Sequence, residues 1–525
     1  MKKIYLLCIL LFGIQLTSNA LNLLGEPVIT TPLTEAYPLE MPTLKAYPIY
    51  VNAFIEEPII IDLVEITING DVFSAIEDEG FYYYLWTPSS YGIHEISIRA
   101  AASNGTETIE SRTMTVTNSA SSLTVNTLQD VVIEFGGENS RWFYGTYTMP
   151  QFVNAYDSIN AYFDVECPAI SGGCDDWDRW AHVDVKGPDG NWIQIIRYIT
   201  PYGVGCNHEL DVTDYMSLLQ GEIEFRVFID TWGTGGWQLS LNLEYNQGTP
   251  EYPYSGVIET WDGSYSFGDP SNLQPVETFN AEILEGVNTS YLRLSNTGHG
   301  WGANNSGNAA EFFNAYHFID VDGEQTFIQH LWNTCNPNPD GCTGQQGSWN
   351  YNRAGWCPGA ISPPDIYDLN PYIGTSIDLD YRFHPTYDDE CHPNNPDCVS
   401  GDTCADCNDG YNPVYFVDGQ IINHSNLPVI YGNILNVVTN NDKIYDLTVY
   451  PNPSNGMFNI NTIGLEGITR VTVNTIDGSL VKAYYFNSNE ELNNYQFNMS
   501  TLSSGMYFIN LENASGTGTK KIILE

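Results

Sequence analysis

Basic residues are scarce in this chain: 18 Lys and Arg stand against 64 Asp and Glu in 525 residues, a net charge of −46. A surface of that sign repels phosphate backbones and anionic membranes, which excludes nucleic acid as a partner. Long apolar runs are also rare. One runs from Ile4 to about Gly13, behind Lys2 and Lys3 and ahead of the small residues Ser18-Asn19-Ala20. That pattern is a secretory signal peptide over residues 1–20, too short and wrongly flanked for a membrane span. No later stretch approaches the roughly 20 apolar residues a transmembrane helix needs, so a soluble mature protein is expected. Convincing helical periodicity is the third scarcity.

What the sequence has instead is short runs of aliphatic residues alternating with polar ones, broken by 46 Gly and 28 Pro. This is the pattern of an all-β protein. About 505 residues remain once the 20-residue leader is removed from 525, enough for three or four domains. Removing Cys8 with the leader leaves ten of the 11 cysteines, an even number in a secreted chain, so disulfides are expected. The 12 Trp and 35 Tyr suit sugar-binding surfaces and β cores alike.

Residues 24–119 hold about seven short alternating runs, with a hairpin signal in TINGD ending at Asp71. They read as an immunoglobulin-like sandwich. This unit has no cysteine and no cluster of catalytic residue types, so it reads as a spacer or accessory binding module. Asn118–Ser122 is a polar linker. Residues 124–432 carry all ten mature cysteines and every Trp except Trp86, so the chemistry is expected there. Gly248-Thr249-Pro250 marks a seam, which suits two adjacent sandwiches over 124–250 and 251–432. TNNDK at 439–443 is a second linker. VYPNPSNGMFNI, VTVNTIDGSLV, LSSGMYFINL and the terminal KKIILE then read as strands of a small β-sandwich. Their order resembles the type A C-terminal sorting domain of type IX secretion, over 446–525. That resemblance implies contact with the type IX machinery and a secreted or cell-surface location.

Within the middle block, a strand from Asp178 to Val185 places Ala181, Val183 and Val185 on a core face. Asp178, Trp180, His182 and Asp184 then share a polar face, with Asp178 at the strand's start. In EIEFRVFIDTW, Ile223, Phe225, Val227 and Ile229 form a core set while Asp230 and Trp232 face away. Glu311 in AAEFFNAYHFI begins a third such strand. Three carboxylates are thus expected at strand ends, each beside an aromatic residue. Singly, each reads as a solvated edge residue.

ECPAISGGCDDWDRWAHVDV, RYITPYGVG, LDVTDYMSLLQG, DTW, YNQGTPEY, the glutamate of AAEFF and NRAGWCPG follow one another in this order. The series resembles the peptide-N-glycosidase F family, the flavobacterial peptide:N-glycanases, from Val125 to about Asn426. The resemblance implies two adjacent eight-stranded jelly-roll sandwiches. It also implies an amidase that cleaves the asparagine–N-acetylglucosamine bond of N-linked glycoproteins or glycopeptides, as a monomer and with no cofactor or metal. Under it, Asp178 is the principal catalytic residue and Arg179 its neighbour in the site. Asp230 stands where the family has a glutamate, and Glu311 matches the second-domain glutamate. Trp232 and Arg353 match substrate-site residues, as does Trp356 in the same motif; His299 and Trp301 in GHGWG are further substrate-side candidates. The family's disulfide around the second-domain glutamate is replaced here by Ala309 and Phe313. Carboxylates suit this chemistry, because one orients and deprotonates water while arginine meets the developing negative charge.

The cysteines take structural roles beside this resemblance. Cys167 with Cys174 would close the loop that aims Asp178, Cys335 with Cys357 would brace Arg353, and Cys206 with Cys342 pair by elimination. CHPNNPDCVSGDTCADC at 391–407 is an insertion relative to the family. Cys391, Cys398, Cys404 and Cys407 are expected to form two disulfides, with zinc or calcium binding, His392 included, as the alternative. Two rival functions stay open. One is a non-catalytic glycan-binding protein, motivated by the shorter side chain of Asp230. The other is a copper monooxygenase acting on peptides, which shares the double jelly roll but needs a close His-x-His pair that this chain lacks.

Overall fold

In the computed structural model the described residues are 25–524, apart from 79, 301–307, 393, 396, 400–411, 431–432, 435–442, 445–446, 463–468, 476–479, 487–488, 501 and 514–515. The expected signal peptide, Trp301, Cys404, Cys407 and most of the TNNDK segment therefore lie outside them. The chain divides into two compact units, Met1–Leu435 and Asn436–Glu525. Strands dominate both. Among the described residues, no helix is long and apolar enough to cross a membrane.

The first module of the larger unit is an immunoglobulin-like sandwich. Alternation in Ile61–Ile68 buries Val64, Ile66 and Ile68. That strand turns through Asn69 and Gly70, whose φ angles of 52° and 95° are the left-handed pair a tight hairpin needs, before pairing with Asp71–Ser74. The module is not strung on a free linker. Gln151–Phe152 of the next sandwich adds in parallel to Leu39–Glu40 and so extends one of the module's sheets. Val153, Tyr254 and Val429 enter its core, and the Tyr254 hydroxyl donates to the Ala46 carbonyl at 2.8 Å.

Two jelly-roll sandwiches follow. In the first, Leu123–Asn126, Gly236–Gln247, Tyr156–Glu166 and Cys206–Asp211 form one sheet, in that spatial order. The facing sheet orders Trp142–Met149, Gly221–Ile229, Trp180–Lys186 and Trp192–Ile199. Phe225, Val227 and Ile229 from one strand and Ala181, Val183 and Val185 from its neighbour fill the space between the sheets. The second sandwich packs Tyr254–Ser266, Val414–Ser425, Thr289–His299 and Asp365–Asp368 on a sheet of Phe279–Ile283, Thr375–Arg382, Ala315–Val321 and Glu324–Leu331. The sandwiches are tied covalently by Cys206–Cys342 and edge to edge by Ala360–Ile361 pairing with Tyr198 and Ile199.

The smaller unit is a sandwich of its own. A sheet holding Gly505–Asn513 between Gly516–Leu524 and Thr469–Thr475 packs on a three-stranded sheet of Thr448–Tyr450, Met457–Asn461 and Gln496–Asn498. Leu447, Phe458, Phe497, Ile509 and Leu511 form its core.

Candidate active site

The loop reading CDDWDRW is built around one buried carboxylate. Cys167–Cys174 closes the segment that leads into it. Asp175 follows, 1% exposed, and accepts bonds from Arg179 Nε at 2.7 Å, Thr231 Oγ1 at 2.7 Å and the Trp177 amide at 3.1 Å. The Arg179 amide donates to the Thr200 hydroxyl at 2.8 Å, so this stretch bonds to side chains before any sheet ladder begins. The strand accordingly starts at Trp180, not at Asp178. Asp178 is carried in the loop just ahead of it.

The polar face of that strand is buried, not solvated. Trp180 stacks on Phe416 of the second sandwich at 4.2 Å. His182 and Arg226 both bond Asp184; burial alone would raise that carboxyl, yet these two partners hold it below its ordinary value. One strand over, Arg197 donates to the Phe416 carbonyl at 2.6 Å. The alternation was sound, but its outer face meets another domain.

At the mouth of this contact Arg353 joins the two sandwiches. Its side chain is fully buried. Nε donates to Glu311 at 3.0 Å, and Nη2 lies 3.4 Å from Asp178. The remaining donors reach the Ser348 and Tyr351 carbonyls, the Ser348 hydroxyl and the Tyr202 hydroxyl, at 2.8–3.2 Å. Phe312 and Trp356 present ring faces to the guanidinium at 5.0 and 4.7 Å. One cation thus serves two carboxylates in a poorly solvated place. Both cannot ionise without leaving a net negative charge there. Burial raises the Asp178 carboxyl, against the pull of Arg353 and of a hydrogen bond from Tyr202. Burial and the neighbouring Asp178 push Glu311 up to about 7. Burial and the single cation thus favour one ionised and one protonated carboxyl in the pair.

Glu311 reaches this position from a turn, four residues before the strand Ala315–Val321 begins, and not from the strand itself. Bonds from the Phe312 amide to the Asn308 carbonyl and from the Ala354 amide to the Glu311 carbonyl hold that turn. Beside Glu311, Ala309 is buried and Phe313 packs on Phe267 and Tyr387 at 5.8 and 5.0 Å. The segment holding Arg353 pairs with Asn333 and is anchored by Cys335–Cys357.

Asp230 stands apart from this group. It follows the strand Gly221–Ile229, and its amide donates to the Trp180 carbonyl, so it flanks the same end of the sheet as Asp178. Its side chain is 39% exposed, bonded to Trp232 Nε1 at 3.0 Å and 3.7 Å from Arg141. Arg141 lies 3.2 Å over the Trp232 ring, itself 52% exposed. Arg179 links the clusters through Asp175 on one side and the Trp232 carbonyl on the other. Of the remaining candidates, Trp356 is buried, donating to the Gly298 carbonyl and stacking on His299 at 5.2 Å. Burial and the nearby arginines depress His299 to about 3, so it is neutral. Arg353 and Trp356 offer no surface to a ligand in this structure; they lie beneath the carboxylates. In the insertion, Cys391 and Cys398 are disulfide-bonded and His392 lies 3.6 Å from Asp269.

Comparison with known proteins points to one family. The descriptions "Peptide-N-glycosidase F, N terminal" and "Peptide-N-glycosidase F, C terminal" match residues 183–245 and 271–401. Peptide-N(4)-(N-acetyl-beta-D-glucosaminyl)asparagine amidase F of Elizabethkingia miricola is 34% identical over 275 residues, which are 49% of this chain and 77% of the relative. This chain belongs to the peptide-N-glycosidase F family. Solved structures agree. Recombinant peptide:N-glycanase F superposes with a TM-score of 0.51 at 29% identity, covering 59% of this chain and 98% of that one. The glycosylasparaginase PNGase F of Flavobacterium meningosepticum gives the same TM-score and coverage at 28% identity. The part of this chain beyond the peptide-N-glycosidase F scaffold includes a secretion system C-terminal sorting domain, matched over 448–525. It marks the protein for type IX secretion to the cell surface or beyond.

The motif reading overlooked three side chains that organise the site of this family member. Asp175 has no role in the motif reading, yet it is the buried anchor of Arg179. Its signal was its place directly after a disulfide cysteine and four residues before an arginine. Tyr202, in RYITPYGVG, and Ser348 are the hydroxyls that complete the shell around Arg353, and neither carries a signal in its own residue type.

Proposed function

We infer that the chain is a secreted amidase that hydrolyses the asparagine–N-acetylglucosamine bond of N-linked glycoproteins or glycopeptides. The observation that carries this reading is Arg353 held between the buried carboxyls Asp178 and Glu311, an arrangement that favours one ionised and one protonated group. Amide hydrolysis needs both halves of that state. A carboxylate takes a proton from the attacking water, and a carboxylic acid gives one to the departing nitrogen. Water adds to the asparagine carbonyl carbon, the C–N bond breaks, the peptide keeps a carboxyl as aspartate, and the sugar leaves as the amine. Asp178 is assigned as the principal acid/base at the first N-acetylglucosamine. Glu311 and Asp230 hold water or the peptide side. Arg353 keeps the pair singly ionised, and Trp232 and Arg179 border the substrate.

A denatured N-glycoprotein incubated with the protein tests the reading. Glycan release with conversion of Asn to Asp by wild type, and not by Asp178→Asn, supports it. The exposed, Trp232-bonded position of Asp230 favours one rival, a glycan-binding protein without turnover. Sugar binding with no release would establish that rival instead.

A further inference from the structure

The first sandwich carries a second feature that the carboxylate site does not use. On its edge strand Trp142–Met149, Phe143 packs toward the core, so Trp142 and Tyr144 point outward. Their rings stack at 6.1 Å with 18° between planes, and Tyr144 meets Trp192 edge-on at 5.9 Å. Arg226 lies over both tryptophans, at 5.2 and 4.7 Å, and is fixed by Asp184. Lys186 also lies near the Trp192 ring and is tied to Glu224 at 2.9 Å. Tyr144 is 53% exposed.

This platform is continuous with both ends of the sheet. Toward the candidate active site, Trp142 follows Arg141, whose guanidinium covers Trp232. Toward the other end, Trp192 and Arg226 form one wall of a cavity of about 620 Å³. The carboxylates Asp78, Asp189, Glu259, Asp262 and Glu282 also line it, with Asn191, Asn280 and short apolar stretches. Glu224 lies on the strand Gly221–Ile229, six residues before Asp230 just beyond its end, so the stripe extends about 20 Å from the site.

We propose that this stripe of Trp142, Tyr144 and Trp192, with the cavity beyond it, binds the outer residues of a neutral oligosaccharide. Pyranose C–H faces pack on exposed aromatic rings, while hydroxyls need convergent carboxyl and amide groups at the rim. Burial and the neighbouring Asp418, Asp262 and Asp184 push Glu259 up to about 9, so at neutral pH it is an uncharged hydroxyl partner. The surrounding protein, at a net charge of −46, opposes an anionic ligand, so sialylated, sulfated or phosphorylated arms are excluded. The inference deepens the amidase reading, since the sugar would be the distal part of the same glycan.

The test separates the two. Full-length Asp178→Asn protein is titrated calorimetrically with a neutral mannose-terminated oligosaccharide and with a sialylated one of similar size. The neutral sugar binds, and adding Tyr144→Ala or Trp192→Ala weakens it about tenfold. Tyr144→Phe, which keeps the ring, restores it. In the Asp178-intact background the same alanine variants raise KM for a glycoprotein with long arms. They leave kcat, and KM for a glycopeptide bearing only the innermost sugars, unchanged. Unaltered affinity in both alanine variants overturns the proposal, as does equal binding of the sialylated sugar or competition by deglycosylated polypeptide. Loss of binding in the variants without any glycan release by the intact enzyme would leave the platform standing and remove the amidase.

Discussion

Two clusters at the same end of the first sandwich are made of the same parts: a carboxylate, an arginine and a tryptophan. Around Arg353 every donor is engaged, the cation is sealed from solvent, and two carboxylates compete for it. Around Arg141 the pieces are stacked and partly wet, with Asp230 39% exposed. Composition alone does not separate them; solvent does. In the dry cluster Coulomb terms are large enough to move protons, whereas in the wet one water and salt screen them. The first arrangement is suited to chemistry and the second to contact with a substrate.

The sharpest way to break this contrast is to remove the buried cation. Arg353→Met leaves Asp178 and Glu311 uncompensated, and we expect a loss of about 3–5 kcal/mol at neutral pH together with all activity. Thermal unfolding across pH should show the deficit shrinking on the acid side, where both carboxyls take up protons.

Next comes Asp178→Asn. Catalysis should fall by about 10²–10⁴, while stability at pH 8 is retained or rises because a buried charge has gone. A parallel loss of fold and activity in this variant would contradict the separation of roles.

The third concerns pH. Glu311 titrates at about 7 in the folded chain against 4.5 for the free group. Between those values the folded state holds the extra proton. The contribution of this group is therefore full below pH 4.5 and lost as pH rises through 7. Stability measured from pH 4.5 to 8 should decline less steeply in Glu311→Gln, and the alkaline limb of the rate profile near 7 should vanish with it.

The smallest effect belongs to the wet cluster. Asp230→Ala should change unfolding free energy by less than about 1 kcal/mol by denaturant titration, as an exposed ion pair does. Its effect on turnover should fall well below that of Asp178→Asn.

Much of the architecture was written in local pattern. Phe225, Val227 and Ile229 alternate because one face of their strand is core, and Asn69-Gly70 turns because those residues accept a positive φ. The same logic brought Asp178 and Asp230 to one end of one sheet. It failed where distant segments decide the outcome. Asp184 and His182 read as surface residues because nothing in their strand announces a second sandwich lying over them. Asp175 drew no role because its second partner, Thr231, comes from a distant segment. Arg353 read as a cleft residue, yet Ser348, Tyr351 and Tyr202 enclose it, and burial of that kind is a property of the assembled unit. The aromatic stripe was hidden for a related reason: Trp142 and Trp192 are 50 positions apart and are joined only through Tyr144 and Arg226.

The central claim is that Asp178 and Glu311, held on either side of Arg353, direct water onto the asparagine amide. Mass spectrometry of a glycopeptide treated in heavy-oxygen water tests it most directly. The account predicts released glycan and an aspartate carrying one heavy oxygen with wild type, and neither with Asp178→Asn. Bound but uncleaved glycopeptide with wild type, or undiminished heavy-oxygen incorporation with Asp178→Asn, would contradict it.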